Sequence, residues 1–468
     1  MNAAVVIVAD GARPDSLASA MEAGHLPALA RLGAEGHFHT VSSVFPSVTG
    51  PAYTPFLLGR HPASVGLLAL RWFDRSRTAG PWPHRARSYV GPELRHVDND
   101  LDATAHTLFE LARPSLGTLS VIRRGLDRES IVGRGAGFVA RTARVHFSGS
   151  VDGWLKIDRD VARTTVSRIL AERPRFTFMA LTGIDKASHF AGHGSDLVLQ
   201  AMRIVDETVA ELRHGLERRG AWETTRIWVV SDHGHSPVDH HEDLERLVRS
   251  FGHDVMAHPW VHRPARDVAV MVSGNAMAHL YLELRPRTRR WWPALAERWE
   301  PLVGQLLERE SIDLMLLPHD PDRCEVRASG RGRAFVIRER GSLSYRPVDG
   351  DPLGVGGELD GLSDAAAHDA CASGDYPDAL VQIFRLASAD RCGDIVLSAA
   401  RGWDLRARYE PIPHRSTHGA LLREHMLVPL LGGHPIGGNP RRTVDVFPSV
   451  LQHLEVALPH GVEGVSYL

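Results

Sequence analysis

The chain has 468 residues, of which 54 are basic and 56 acidic, and its formal net charge is −2 at pH 7. It therefore lacks an overall basic field to hold a polymeric nucleic acid or an anionic membrane surface, and no apolar run reaches the roughly 18 to 20 residues that a membrane span requires. Three cysteines are an odd number that does not suit a disulfide framework. Because the amino terminus shows no signal-peptide features, we expect a cytoplasmic protein without a nucleic-acid or membrane partner.

Short apolar runs that alternate with helical patterns predict an α/β fold. Five runs read as buried strands, most of them followed closely by Asp, His or Gly: residues 5–9, 176–181, 227–230, 395–397 and 426–431. Apolar residues recur at helical spacing in 13–33 and 197–219, which supplies the crossovers that parallel strands need. The pattern is typical of a doubly wound, mainly parallel sheet with helices on both faces, and ligands should gather at the carboxyl ends of its strands.

The middle of the chain has a different pattern of predicted elements. Residues 268–272 and 278–284 predict strands, residues 285–307 predict a helix, and a glycine-rich irregular stretch follows. We interpret 253–390 as an inserted α+β cap region. It would separate two parts of one catalytic α/β core, the first in 1–252 and the carboxyl-terminal part in 391–468.

Two short clusters in the first sixty residues could carry chemistry. Asp10 ends the first predicted strand, where a carboxylate can meet a cation, although an Asp at a strand end is more often a helix cap. Thr49 precedes the helix-like segment 52–58, so its hydroxyl faces the positive end of a helix dipole, which favours a phosphoryl oxygen or a developing alkoxide. The alternative is that Thr49 or Ser47 only caps this helix.

Two further clusters follow predicted strands in the same way. Asp185 and His189 are four residues apart, which places both side chains on one face of a helical turn and suits two ligands of one metal. Asp232 and His233 are neighbours at a strand end, where successive side chains point to opposite sides. They could reach two metals roughly 3.5 to 4 Å apart, the spacing of two-metal phosphoryl chemistry. An ordinary Asp and His pair on a helix is the alternative for Asp185 and His189.

Other histidines carry less weight, because the chain has 27 of them. His418, in the pair His418-Gly419 before the last predicted strand, could complete the set of ligands. His235, His240 and His241 are interpreted as part of a polar loop near the site and not as ligands of a third metal.

In their order, these motifs resemble the alkaline phosphatase superfamily and, within it, the type I phosphodiesterase or nucleotide pyrophosphatase branch. That branch shows a strand-ending Asp, a Pro-Ser-x-Thr segment that opens a helix, Asp-x-x-x-His, Asp-His-Gly and His-Gly. All five occur here in that order, from Asp10 to His418. The tail 442–466 is also similar to the closing helix and loop of the superfamily, so only the middle insertion is unmatched.

The resemblance implies a metal-dependent hydrolase that cleaves phosphodiester or pyrophosphate bonds of a small phosphorylated substrate through a covalent phospho-threonine. It implies two divalent metal ions, zinc by preference, with manganese or iron as alternatives. Thr49 would be the nucleophile. Carried onto this chain, the ligands would be Asp185, His189 and His418 for one ion, and Asp10, Asp232, His233 and Thr49 for the other.

One departure from the family pattern leaves the substrate class open. Type I phosphodiesterases usually carry an Asn after the nucleophile that touches the phosphoryl oxygen, and residues 50–60 contain none. Lys186 could supply a substrate contact, with a solvated lysine at the rim as an equal alternative, whereas Asn275 reads as a turn former. A phosphomonoesterase or phosphonate hydrolase with the same site is a further alternative, and so is a catalytically inactive metal-binding interaction protein.

Overall fold

The computed structural model describes residues 2–76, 85–258, 267–406 and 410–468. Its strands are β1 (Ala3–Ala9), β2 (His37–Ser42), β3 (Arg71–Phe73), β4 (Ala86–Ser88), β5 (Ser115–Thr118), β6 (Ile131–Val132), β7 (Phe176–Leu181), β8 (Thr225–Val230), β9 (Ser236–His241), β10 (Val255–Ala257), β11 (Val268–Ser273), β12 (Met277–Leu282), β13 (Ile312–Asp320), β14 (Arg323–Ala328), β15 (Gly332–Glu339), β16 (Ser342–Gly350), β17 (Leu359–Leu362), β18 (Ile395–Ala399), β19 (Gly402–Asp404), β20 (Ser416–Thr417) and β21 (Leu427–Gly432). Its α-helices are α1 (Pro14–Glu22), α2 (Pro27–Glu35), α3 (Thr54–Leu58), α4 (Val97–Asp100), α5 (Leu108–Leu111), α6 (Ala136–Phe147), α7 (Val151–Glu172), α8 (Gly183–Ala191), α9 (Asp196–Arg218), α10 (Leu244–Ser250), α11 (Ala296–Leu307), α12 (Asp364–Cys371), α13 (Ala379–Ala387), α14 (Arg423–Met426) and α15 (Val446–His453).

A seven-stranded sheet carries the site, with the strand order β2-β21-β8-β1-β7-β5-β6. The strand β1 pairs in parallel with β7 and with β8, and β5 pairs in parallel with β7 and with β6. The strand β21 runs antiparallel to β8 and β2. The predicted mainly parallel sheet is therefore confirmed, with one antiparallel strand inserted near an edge.

Helices cover both faces of this sheet, as predicted. Along β1, Val5 and Ile7 pack into one apolar cluster with residues of α7 and α9, whereas Val6 and Val8 pack into another with residues of α3 and α15. Successive strand side chains point to opposite faces, so a fully apolar strand needs a helical layer on each side.

A nine-stranded sheet with the order β10-β11-β12-β18-β13-β14-β15-β16-β17 forms a second core with α11 and α13. The strand β18 lies in it, antiparallel to both β12 and β13. The first residues of β18, the run 395–397, were expected in the parallel sheet. A short, wholly apolar strand looks the same in either sheet, because both environments bury its two faces. The division into 1–252, 253–390 and 391–468 stays a prediction.

Two helix predictions need correction and one is confirmed. The segment 13–33 forms two helices, α1 and α2, because Pro27 disfavours a helical conformation of the residue before it. The predicted helix 285–307 begins only at Ala296, after a short 3-10 turn at Trp292–Ala294. The predicted helix 197–219 is confirmed as α9.

Candidate active site

The predicted ligands lie at the carboxyl edge of the seven-stranded sheet. Asp10 follows β1, and Asp232 follows β8, which is the parallel neighbour of β1. The helix α8 follows β7, the parallel neighbour on the other side, and carries Asp185 and His189. Adjacent parallel strands thus end at one edge and bring residues far apart in sequence together, as the sequence predicts.

One group of side chains, here called the Asp10 trio, consists of Asp10, Asp232 and His233, whose ligand atoms lie within 4.8 Å of one another. His233 Nε2 is 3.4 Å from Asp10 Oδ1 and 3.5 Å from Asp232 Oδ2. The Thr49 hydroxyl lies against this trio, with its oxygen 3.2 Å from Asp10 Oδ1 and 3.0 Å from His233 Nε2. These positions allow the trio to hold one cation with the Thr49 oxygen beside it.

The second group, here called the Asp185 trio, consists of Asp185, His189 and His418, and its ligand atoms also lie within 4.8 Å of one another. Asp185 Oδ1 is 3.1 Å from His189 Nε2 and 3.5 Å from His418 Nε2. The ring of His418 stacks on that of His233, with 3.6 Å between centroids and 5° between planes. This stack places the two trios side by side in one buried site.

Backbone carbonyl groups fix the protonation of the histidine rings. In each ring, Nδ1 lies against a carbonyl oxygen: that of Ser416 for His189 at 2.8 Å, of Ser47 for His418 at 3.0 Å, and of Gly234 for His233 at 3.2 Å. A carbonyl oxygen can only accept, so Nδ1 carries the proton and Nε2 offers a lone pair. This is the arrangement that metal-binding histidines use.

Three buried carboxylates make the site strongly acidic. Burial, followed by the charges of Asp232 and Asp185, raises the pKa of Asp10 well above its ordinary value. Burial also raises the pKa of Asp232. Burial alone would raise the pKa of Asp185, but the charge of the neighbouring Lys186 holds it well below its ordinary value. It is therefore costly to keep both Asp10 and Asp232 ionised unless a cation binds between them.

The residues present fit divalent metal ions. Asp232 Oδ2 is buried and has no hydrogen-bond partner among the described residues, although a buried carboxylate oxygen normally has one. Each trio combines carboxylate oxygen with imidazole nitrogen, a donor set that zinc, manganese and iron accept. Two cations would also offset the charge of the three carboxylates.

Two glycines of the motifs are required by close packing. Gly11 has a positive φ of 81°, and a Cβ atom there would lie 2.8 Å from His235 Nε2. A Cβ atom on Gly234 would collide with the backbone carbonyl oxygen of Glu424. The Asp-Gly and Asp-His-Gly patterns therefore reflect the tight approach of other segments to the ligands.

Lys186 and Asn275 both line the cavity at the site. Lys186 Nζ donates to Asp185 Oδ2 at 2.7 Å and lies 5.8 Å from the centre of the Trp154 ring, so a role in substrate binding stays a prediction. Asn275 adopts a positive φ of 63° in the turn between β11 and β12, which confirms the prediction that it forms a turn.

His235 lies in the loop between β8 and β9, but it belongs to the buried site, whereas His240 and His241 lie in β9; both findings correct the interpretation from sequence. Its ring is fully buried, and its Nε2 lies 3.1 Å from Asp185 Oδ1. With Asp185 and His233 it forms a third group that could hold a metal. His240 and His241 are not buried: His240 packs on Trp403, and His241 Nδ1 lies 4.0 Å from Asp404 Oδ2.

A cavity of about 260 Å³ opens over Thr49 and Asp185. Its lining includes residues that sequence reasoning missed, because they come from segments without a motif; they are Arg71, His146, Trp154, Glu410 and His414. Arg71 starts β3, and the ring of His414 packs against that of His189 with 4.1 Å between centroids and 31° between planes. No spacing pattern in the sequence relates these residues to Thr49.

The fold and the two trios define the class of the protein as a member of the alkaline phosphatase superfamily. A family model described as type I phosphodiesterase / nucleotide pyrophosphatase matches residues 4–300, which include Asp10, Thr49 and Asp232. The chain belongs to this family. The sequence resemblance is thus confirmed.

One curated relative is ectonucleotide pyrophosphatase/phosphodiesterase 2 of Saccharomyces cerevisiae, which is 25% identical over 291 residues. The match covers 59% of this chain and 54% of the relative, so the chain spans about half the length of that protein.

Two solved structures show the same fold over nearly the whole chain. Phosphonoacetate hydrolase from Sinorhizobium meliloti 1021, in complex with phosphonoacetate, has a TM-score of 0.58 at 17% identity and covers 97% of this chain and 96% of its own. An inactive threonine-to-alanine variant of murine ectonucleotide pyrophosphatase/phosphodiesterase 5, in complex with AMP, has a TM-score of 0.55 at 15% identity and covers 98% and 97%.

The cytoplasmic location and the absence of a membrane partner stay predictions. None of the described helices combines the length and the apolar composition that a bilayer crossing requires. Cys324, Cys371 and Cys392 are free and buried, which agrees with the absence of a disulfide framework.

Proposed function

We propose that the protein is a two-metal phosphoryl hydrolase that cleaves phosphodiester or pyrophosphate bonds of small substrates, with Thr49 as the nucleophile. One observation carries the proposal: the Thr49 hydroxyl lies 3.0 Å from His233 Nε2 in the Asp10 trio, and the Asp185 trio lies directly across the His233 and His418 ring stack. A nucleophile beside one cation site with a second site next to it is the arrangement of two-metal phosphoryl transfer.

The Asp10 trio and the Asp185 trio would each hold one divalent cation, most readily zinc, with manganese or iron also accommodated by these donors. When bound, such ions supply Lewis-acid stabilisation of the oxygen atoms that gain charge during phosphoryl transfer.

The side chains of the protein position the reaction. Thr49 Oγ1 forms the new bond to phosphorus as the bond from phosphorus to the leaving-group oxygen breaks. The Thr49 hydroxyl donates to Asp10 Oδ1, with 3.2 Å between the two oxygens, and the proton that it loses is returned to the departing oxygen. Water then breaks the bond between phosphorus and the Thr49 oxygen, which regains a proton. The Nδ1 contacts with backbone carbonyls hold the rings of His189, His233 and His418 in place throughout.

The names of similar proteins support this assignment. The yeast relative is a nucleotide pyrophosphatase/phosphodiesterase, and a threonine-to-alanine variant of the murine protein is inactive and binds AMP. Phosphonate hydrolysis is a second candidate. It is supported by the likeness to a phosphonoacetate hydrolase and by Lys186, a cation in the cavity that could meet the extra charge of such a substrate.

Turnover of a chromogenic diester, bis(4-nitrophenyl) phosphate, by zinc-loaded protein tests the proposal. We expect Thr49→Ala to lower kcat by at least about 1,000-fold, because it removes the nucleophile, and Thr49→Ser to retain more activity. Mass spectrometry of acid-quenched wild type should find one 4-nitrophenyl phosphoryl group on the Thr49 peptide, because a diester keeps its second ester group on phosphorus when the first one leaves. Full activity of Thr49→Ala would contradict the proposal, and parallel rates on 4-nitrophenyl phosphate and phosphonoacetate decide between the candidate substrates.

A further inference from the structure

The cavity over Thr49 is largely apolar away from the two trios. Its walls include aliphatic and aromatic side chains and a proline, namely Leu70, Val90, Val121, Trp154, Pro411 and Ile412. Arg71 and Glu410 bring charge into this apolar part. A charge in such surroundings interacts more strongly with a ligand than one in open solvent, because the local dielectric constant is lower.

Arg71 has unused hydrogen-bonding capacity in this wall. Its side chain is 7% exposed, and Nη1 donates to the backbone oxygen of Val272 at 3.1 Å. Nε is buried and has no partner among the described residues. Nη2 is 3.9 Å from Glu410 Oε1, which is beyond hydrogen-bond distance. A buried guanidinium with five donors and so few acceptors leaves room for a further anion.

Arg71 approaches the site from the side of the Asp185 trio. Its backbone N–H donates to Ser273 Oγ at 3.1 Å. Gly274, which follows Ser273, packs so closely that a Cβ atom there would lie 2.6 Å from Val48 Cγ2 and 3.1 Å from His418 Nδ1. Thr49 lies against the other trio. In-line displacement puts the nucleophile and the leaving group on opposite sides of phosphorus, so the leaving group would depart on the side of the Asp185 trio.

Glu410 is a carboxylate of the cavity lining, with its Oε1 3.9 Å from Arg71 Nη2. Burial lowers the pKa of Arg71, and the negative charge of Glu410 partly opposes this effect. The Glu410 carboxylate is 17% exposed, and among the described residues its only ion-pair contact is the long one with Arg71. An incoming anion could therefore replace it at the guanidinium without breaking a short ion pair.

We propose that Arg71 forms an anion subsite for the leaving group, and that Glu410 is the internal carboxylate which a bound anion displaces. The preferred substrate would then be a phosphoric ester whose leaving group has an apolar body that carries a carboxylate or phosphate. This inference rests on the proposed phosphoryl hydrolase function and adds a substrate class to it.

The experiment compares three esters on zinc-loaded protein: methyl 4-nitrophenyl phosphate and its derivatives with a carboxylate or a phosphonate at ring position 3. The readout is the ratio of kcat/KM for each charged ester to kcat/KM for the uncharged one. A ratio is independent of the fraction of folded protein. Arg71→Gln should lower it on the order of 10- to 100-fold, the range for a lost hydrogen bond to a charged group, and Glu410→Gln should raise it. The derivative with the larger change identifies the anion.

Arg85→Gln is the matched control. Arg85 precedes β4, the partner strand of β3, and donates to the backbone oxygen of Leu284 at 3.0 Å. Because Arg85 lies outside the cavity lining, the ratio measured for Arg85→Gln should equal that of wild type. An unchanged ratio in Arg71→Gln would overturn the inference. If kcat/KM also falls equally on all three esters, the role of Arg71 is structural. If wild type hydrolyses none of the esters, the proposed function itself fails and this inference fails with it.

Discussion

His235 Nε2 lies 3.1 Å from Asp185 Oδ1, and its Nδ1 lies 3.2 Å from Ser416 Oγ. The same Asp185 oxygen faces Nε2 of His189 at 3.1 Å. Burial lowers the pKa of His235 to about 3, so the ring is neutral at physiological pH. A neutral imidazole at this place either orients the Asp185 carboxylate or donates its own lone pair to a cation, and both roles support the Asp185 trio.

We therefore expect His235→Ala to weaken binding of one zinc ion about 10- to 100-fold, the usual effect of losing a group that supports metal ligands. Competition with a chromogenic chelator measures this affinity. His240→Ala is the matched control, because His240 lies in the same segment but is exposed. Equal zinc affinity in the two variants would contradict a supporting role for His235.

At the residue scale, the sequence was sufficient to predict those site residues that lie in recognisable local patterns. The Asp185 and His189 spacing and the Asp232-His233 pair follow strands, and the structure brings them together as predicted. His235, Arg71 and Glu410 could not be found in this way. Their role depends on contacts between distant segments, such as that of His235 with Asp185, 50 positions earlier in the chain.

Individual elements are held in position by buried polar contacts. The helix α8, which carries Asp185 and His189, begins at Gly183, whose backbone N–H donates to Asp158 Oδ2 at 2.6 Å. Asp158 belongs to α7 and also accepts from the Thr182 N–H at 3.2 Å. The start of α8 is thus attached to a long helix of the core, which keeps the two ligands in register with β1.

The carboxyl-terminal tail is attached in a similar way through Glu463. Its carboxylate accepts from the ring of His61 at 2.7 Å, from Ser64 Oγ at 2.8 Å and from Arg385 of α13 at 2.7 Å. Burial alone would raise the pKa of Glu463, but His61 and Arg385 lower it to about 2. The tail, the segment after α3 and a helix of the second core meet at this carboxylate.

Because this folded-state pKa lies below the ordinary value of 4.5, the carboxylate stabilises the folded state above about pH 4.5. Its contribution is lost as the pH falls towards 2. The shift corresponds to roughly 3 kcal/mol of unfolding free energy. We expect Glu463→Gln to lower the urea midpoint at pH 7 and to have little effect near pH 2.5. Glu455→Gln, an exposed site on the same tail, is the control. A pH-independent difference would contradict this account.

At the element scale, strand and helix positions were predictable where the pattern is long and regular, as in α9. The sequence could not assign 395–397 to its sheet. Val396 is fully buried in the second core, and nothing local distinguishes an antiparallel partner from a parallel one. Pro27 indicates the break between α1 and α2, but the apolar periodicity by itself continues through it.

At the scale of the whole molecule, residues of both sheets contribute to the site. The turn between β11 and β12, in the nine-stranded sheet, forms a backbone bridge between Asn275 and His418. Leu405 N–H also donates to the Asn275 carbonyl oxygen. The second sheet therefore packs directly on a proposed metal ligand. Substrate selection can depend on this region, while the ligands themselves come mainly from the edge of the parallel sheet.

The metal content of the folded chain tests the central claim most directly. We expect two zinc ions per chain by inductively coupled plasma mass spectrometry after loading and desalting. His189→Ala and Asp232→Asn should each retain one, because they remove ligands from different trios, and His240→Ala should retain two. Fewer than two ions in wild type, or two ions in both ligand variants, would contradict a two-metal hydrolase.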